Sequence, residues 1–311
     1  MKVDTEYEYS EANHNPNLKN YEEESSDSDI ENVEENDLKK KQNIKVDKND
    51  LTIYPIKIDE SKLNQGEAKY PLSSPVHLHI VVGRVKAGKS LLINNLYLSP
   101  RFFGDEYKTK ILISTTAYND AVNKYMLEDF DFIFSEYTEE LMDELINMVE
   151  NDVGKGRFLI VFDDIIGNVN FKRVGADKIS SLISRYRHIG NQEQEGKLAL
   201  CFTSQYWKYF NNISRTNGTA YYILGSFPET ELKKMAEDLS FFGGSQKEFI
   251  QLFNKSRQNP YDFLYLSVEH LEARRNHDEI LWKKDSNLDK KPVEKIVDKK
   301  DELDEATEKK K

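Results

Sequence analysis

The sequence predicts an α/β fold: a mainly parallel sheet sandwiched between two layers of helices, with charged tails outside the folded core. Three observations predict it. Short apolar runs alternate with segments of helical period through the middle of the chain, the pattern of repeated strand–helix units. Several of those runs are apolar throughout rather than alternating, as strands buried on both faces are. Both ends are crowded with charge and poor in aliphatic residues, a composition that buries too little apolar surface to fold.

The elements follow in order. LTIYPIKI (51–58) alternates apolar and polar residues and predicts a strand. VHLHIVV (76–82) predicts a buried strand ending at Gly83, and GKSLLINNLYLS opens a helix. KILIST (110–115) predicts a strand, 117–127 a short helix, and DFIFS (131–135) another strand. YTEELMDELINMVEN places apolar residues at helical spacing. RFLIVFDDI (157–165) is a β-rich apolar run, DKISSLISRYRHI a helix, KLALCFTS (197–204) a strand and YWKYFNNIS a helix. TAYYILG (219–225) predicts a strand. PETELKKMAEDLSFF and SQKEFIQLFNKS are helices announced by Pro or Ser at the start with acids close behind. YDFLYLSVE closes the core with a strand.

This divides the 311 residues into a disordered acidic arm (1–48), one folded domain (49–282) and a charged tail (283–311). Residues 1–50 hold 15 acids against 7 bases, whereas the tail is nearly balanced. The net charge of −11 is not the footprint of a general nucleic-acid binder, although a local basic stripe can hide inside such an average. Cys201 is the single cysteine, so no intramolecular disulfide forms, which suits a reducing compartment. No apolar run approaches membrane-spanning length, and MKVDTEYEYS lacks the apolar stretch of a signal peptide. The expectation is a soluble, intracellular chain without a membrane partner.

Residues 83–90, GRVKAGKS, fit G-x-x-x-x-G-K-[ST]. In that pattern two glycines let backbone N–H groups close around phosphate oxygens, and the following helix offers its N-terminus to the same anion. Gly83, Arg84, Val85, Lys86, Ala87, Gly88, Lys89 and Ser90 are the expected cradle, with Lys89 on the β/γ-phosphates and Ser90 on Mg²⁺. The context agrees, since an apolar strand precedes and a helix follows. A second element is expected on a neighbouring strand, and RFLIVFDDI supplies it. Asp163 ends that strand, where ligands of parallel sheets bind, and is placed to hold Mg²⁺. Asp164 can orient or deprotonate the attacking water. KLALCFTSQ ends a third strand with Ser204 and Gln205, an amide suited to sensing the γ-phosphate or aligning water. Cys201, in mid-strand, reads as core. Arg185, Arg187 and Arg215 are candidates for neutralising the transferring phosphoryl group, and Lys172 and Arg173 for touching a polyanion.

With these pieces in hand, the chain resembles the viral DNA-packaging ATPases of nucleocytoplasmic large DNA viruses, virophages and related transposons, in the FtsK–HerA branch of P-loop NTPases. Three blocks carry the resemblance: IVVGRVKAGKSLLINNL (Walker A), FLIVFDDI (Walker B), and RHIGN…LALCFTSQ followed by ISRTNGTAYYIL. They cover roughly residues 75–270. The resemblance puts Arg187–His188 at the family's Arg-His position, Gln205 at its polar sensor and Arg215 at its late arginine. It implies a P-loop ATPase using ATP and Mg²⁺, assembled as a ring of copies of itself. Double-stranded DNA would pass through the ring into a preformed capsid, at a capsid or portal-like vertex protein. It also implies residence in host cytoplasm or a viral factory, or association with the virion. Two departures stand out: the stretch between His188 and Gln205 is longer than usual, and the second acid is Asp164 where many such motors carry Glu.

Two other readings remain open on the residues alone. Asp164-Ile-Ile-Gly167 matches the D-x-x-G of GTPases, but neither Asn123-Lys124 nor Asn254-Lys255 continues to the aspartate of a guanine reader. A nucleotide-binding assembly switch with little turnover, working through its acidic arm, would show the same loop.

Overall fold

The computed structural model describes residues 66–118, 128–165, 177–190 and 196–284. The expected strand at 51–58 and nearly all of the short helix at 117–127 lie outside them, as do Lys172 and Arg173.

Among the described residues nine strands form one sheet. They are β1 (Leu78–Gly83), β2 (Tyr107–Ser114), β3 (Phe132–Phe134), β4 (Arg157–Asp163), β5 (Leu198–Ser204), β6 (Ala220–Leu224), β7 (Phe263–Ser267), β8 (Glu272–Arg275) and β9 (Glu279–Lys283). Their spatial order is β3-β2-β4-β5-β1-β6-β7-β8-β9. The first six are mutually parallel, and β7, β8 and β9 continue the sheet antiparallel. The fold is thus α/β with a mainly parallel sheet, as the apolar runs predict. Every residue of β1, β5 and β6 is buried, which is what helices on both faces demand.

Among the described residues six α-helices flank the sheet: α1 (Lys89–Leu98), α2 (Glu139–Asn151), α3 (Lys178–Arg185), α4 (Asn212–Asn217), α5 (Glu229–Leu239) and α6 (Gln246–Lys255). Side-chain alternation along the strands splits the core in two. Ile80, Val82, Ile160 and Phe202 face α2, α3, α5 and α6, whereas Val81, Val161 and Cys201 face α1 through Leu92, Ile93, Leu96 and Tyr97. The helix starts obey capping chemistry. Thr138, Asp177 and Ser245 accept N–H groups of the first turns of α2, α3 and α6.

Two expectations need correction. YDFLYLSVE does not close the core, because β8 and β9 extend the sheet to Lys283. β8 (EARR) is nearly all charge and β9 (EILWK) is only five residues long; β8 pairs with β7 and β9 with β8, and the buried Glu272 binds both Arg274 and Lys283 of β9 at 2.7 Å. YWKYFNNIS is not one helix either. A 3₁₀ turn (Trp207–Tyr209) is followed by α4, because the Asn211 side chain accepts the Ser214 N–H and starts a new helix there.

Candidate nucleotide site

Strands β1, β4 and β5 run parallel, so their C-terminal ends meet at one edge of the sheet. Ligands of open α/β sheets bind at that edge. The loop Gly83–Gly88 leaves β1 there and enters α1 at Lys89. Asp163 ends β4, and Ser204 ends β5. β4 is not the immediate neighbour of β1, as the sequence reading expects; β5 lies between them. Gln205, one residue past β5, therefore stands between the glycine loop and the acids.

The two glycines work differently. Gly88 has φ +98°, the left-handed region that a side chain resists, and it is the N-cap of α1 without any side-chain cap. Gly83 has no such angle. A Cβ there would come within 3.0 Å of Leu224 Cβ and 3.2 Å of Ala87 Cβ, so those neighbours would have to give by a few tenths of an ångström to admit one. Lys86 supplies the loop's other left-handed turn, at φ +62°. Arg84, Val85 and Lys86 are exposed, and Ala87 to Ser90 are half-buried. Lys89 donates from Nζ to the Gly83 carbonyl at 2.9 Å, folding its ammonium back over the loop. The surface from Arg84 to Leu91, with Tyr261, encloses a cavity of about 560 Å³.

The acids are held by hydroxyls that the sequence reading passed over. Thr203 donates to Asp163 Oδ1 at 2.7 Å, and Ser114 donates to Oδ2 at 3.1 Å. The Thr203 hydroxyl also accepts the backbone N–H of Asp164 at 2.9 Å. Asp164 sits at φ +56°, tolerable for Asp but held only if its surroundings fix it. Gln205 Nε2 then donates to Asp164 Oδ2 at 2.7 Å. Thr203 is a hydroxyl at the end of an otherwise apolar strand, which is a legible signal. Ser204, singled out instead, turns its hydroxyl to the backbone of Tyr206.

Asp163 is 4% exposed and makes no salt bridge among the described residues. Burial pushes its carboxyl above the usual range and the neighbouring Asp164 charge adds to this, against the Thr203 and Ser114 hydroxyls and the Lys89 charge. A buried carboxylate held by hydroxyls and lacking a salt bridge suits a divalent cation, and Ser90 in the first turn of α1 offers a second oxygen ligand. Residues Ser90 and Asp163 thus fit Mg²⁺. Cys201 is core as expected; burial pushes its thiol up to about 12.

The candidate arginines lie elsewhere. Arg215, in α4, donates to Asp238 at 2.7 Å, an acid that also accepts the Trp207 indole N–H at 2.7 Å. Four residues on, Thr219 hydrogen-bonds Leu78, the first residue of β1. Arg215 is therefore at the N-terminal edge of the sheet. Arg187 follows α3 in a 3₁₀ turn, its guanidinium over the Tyr186 ring, just before the chain enters β5 at that same edge. Six residues of β1 at about 3.3 Å each put roughly 17 Å between this edge and the loop. Neither arginine reaches the glycine loop. Arg185 pairs with Glu150 at 3.8 Å.

No family model matches the chain, and no curated protein does. Solved structures do. The genome packaging NTPase B204 of Sulfolobus turreted icosahedral virus 2, in complex with ATP-gammaS, is 15% identical over 64% of this chain and 96% of its own, with a TM-score of 0.48. B204 of Sulfolobus Turreted Icosahedral Virus, a DNA-packaging ATPase, is 14% identical over 64% and 96%, with a TM-score of 0.49. The pCW3 conjugation coupling protein TcpA, with ATPgS, is 14% identical over 69% and 60%, with a TM-score of 0.42.

Proposed function

We propose that this chain is an ATP-hydrolysing motor that translocates double-stranded viral DNA into a preformed capsid. One observation carries the hydrolytic half: the glycine loop, the Asp163–Asp164 pair and Gln205 converge on one sheet edge. The motif resemblance carries the packaging half.

In this reading the loop from Gly83 to Ser90 wraps the phosphates, and Lys89 exchanges the Gly83 carbonyl for phosphate oxygens. Ser90 and Asp163 would hold the Mg²⁺ that accompanies the nucleotide, which would supply positive charge against the phosphates. Gln205 fixes the Asp164 carboxylate, leaving its other oxygen to align a water and accept its proton. Because Arg215 and Arg187 lie at the opposite edge, they serve a neighbouring subunit's nucleotide. That arrangement makes turnover depend on a ring of copies.

The test is ATP turnover by the purified chain with and without linear duplex DNA, read beside its oligomer size. Turnover raised by duplex DNA in a ring-sized species supports the motor. Nucleotide-driven oligomerisation without turnover replaces it with an assembly switch, and preference for GTP with a GTPase.

A further inference from the structure

Next to the phosphate loop lies a second, apolar cavity of about 210 Å³, lined by Leu91, Asn95, Phe102, Tyr261, Phe263 and His277 among others. It shares Ala87, Gly88, Leu91 and Tyr261 with the loop's own cavity, so a single ligand can occupy both.

Its mouth is built around an exposed aromatic. Tyr261 is 68% exposed, and its ring lies 3.3 Å from where a Gly88 Cβ would stand. Its backbone is left-handed, φ +71°, which a bulky residue adopts only where its surroundings over-determine it. They do so here. The next residue, Asp262, accepts the N–H groups of Gln258 and Asn259 at 3.2 and 2.8 Å, and the Asn276 side-chain amide at 3.0 Å. Asn276, itself at φ +51°, accepts the Phe263 N–H and precedes His277. One side-chain hydrogen bond, Asp262–Asn276, thus ties the turn presenting Tyr261 to the turn presenting His277. The His277 ring packs at 5.4 Å from both Phe102 and Phe263, and its Nε2 is buried without a hydrogen-bond partner among the described residues.

We infer that this cavity seats the adenine of the nucleotide whose phosphates lie on Gly83–Ser90, with Tyr261 stacking on the base and the Asp262–Asn276 bond fixing the clamp. The inference rests on the phosphate-loop reading above. Aromatic rings hold planar bases by their faces. An apolar cavity joined to a phosphate cradle needs a ligand that is anionic at one end and flat and apolar at the other, and His277 Nε2 adds a polar group for the ring edge.

Calorimetry on the full chain with Mg²⁺ tests it, using ATP and inorganic tripolyphosphate as probes. ATP should bind more tightly than tripolyphosphate. Tyr261→Ala should weaken ATP about ten-fold and leave tripolyphosphate unchanged, while Tyr261→Phe behaves as the parent. Asn276→Ala should weaken ATP in the same selective way, independently of any change in the ring itself. Equal affinity for the two probes, or Tyr261→Ala weakening both alike or neither, overturns the clamp and leaves the cavity to a neighbouring side chain. The phosphate-loop reading fails separately, if Lys89→Ala leaves tripolyphosphate binding intact.

Discussion

Gln205 holds Asp164: the amide at the tip of β5 donates to the carboxylate just past β4 at 2.7 Å. Two residues 41 apart in sequence become one unit because β5 lies against β4. The first prediction concerns that unit. Asp164→Asn keeps the shape but cannot take a proton, so ATP should remain bound while turnover falls about 10²-fold or more. Gln205→Ala should lower turnover with little change in ATP affinity. Steady-state kinetics beside equilibrium binding check both; full turnover in Asp164→Asn sinks the assignment of the acid.

Lys89→Ala should abolish turnover without unfolding the chain. The ammonium donates to the Gly83 carbonyl, on a half-buried loop, so little packing is lost. An unchanged melting curve with no phosphate release is the expected pair of results.

Thr203 serves both acids, donating to Asp163 and accepting from the Asp164 N–H. Thr203→Val keeps the volume and strips both bonds, leaving buried polar groups unsatisfied. Denaturant titration should show a loss of about 1–3 kcal/mol, largely restored in Thr203→Ser. Equal stability of the Val and Ser variants would contradict the hydroxyl's role.

Arg215 stands at the edge away from its own loop, which makes a subunit-mixing experiment decisive. Arg215→Ala and Lys89→Ala should each be inactive alone. Mixed, a Lys89→Ala subunit can lend its arginine to an Arg215→Ala neighbour whose loop is intact, and part of the turnover should return. No recovery from a mixture that forms hetero-oligomers removes Arg215 from this role, and Arg187 is tested the same way.

Acid should destabilise the fold well before ordinary carboxylates protonate. His77 and His79 stack at 3.5 Å inside the core, and burial holds His77 down near 3 and His79 well below 6.5; burial also brings His277 to about 4. The unfolded chain takes up these protons first as pH falls. Stability is therefore fully present above 6.5 and lost on the way toward 3, at about 1.4 kcal/mol per pH unit for each histidine at most. Asp163, with its carboxyl pushed up, works in the opposite direction and offsets part of the loss. Urea midpoints at pH 7.5, 6 and 5 measure the slope; a flat profile rules the account out.

The chain's own order of residues determined the strand–helix alternation, the glycine loop and the acid pair, because these rest on local rules: backbone freedom at Gly88, apolar runs for buried strands, capping residues at helix starts. It also marked Gln205, by placing an amide where an apolar strand stops. Tertiary structure alone decided which strand separates loop from acids, that Thr203 rather than Ser204 binds both aspartates, and that Gly83 is crowded by Leu224 and Ala87 rather than held by its own backbone angle. It decided as well that Tyr261 and His277 flank the loop, and that Arg187 and Arg215 lie at the far edge. The physical reason is separation along the chain. Contacts between residues far apart in sequence, such as Thr203 with Asp163 and Gly83 with Leu224, depend on strand order and register, which arise from the packing of the whole sheet rather than from any one segment of sequence.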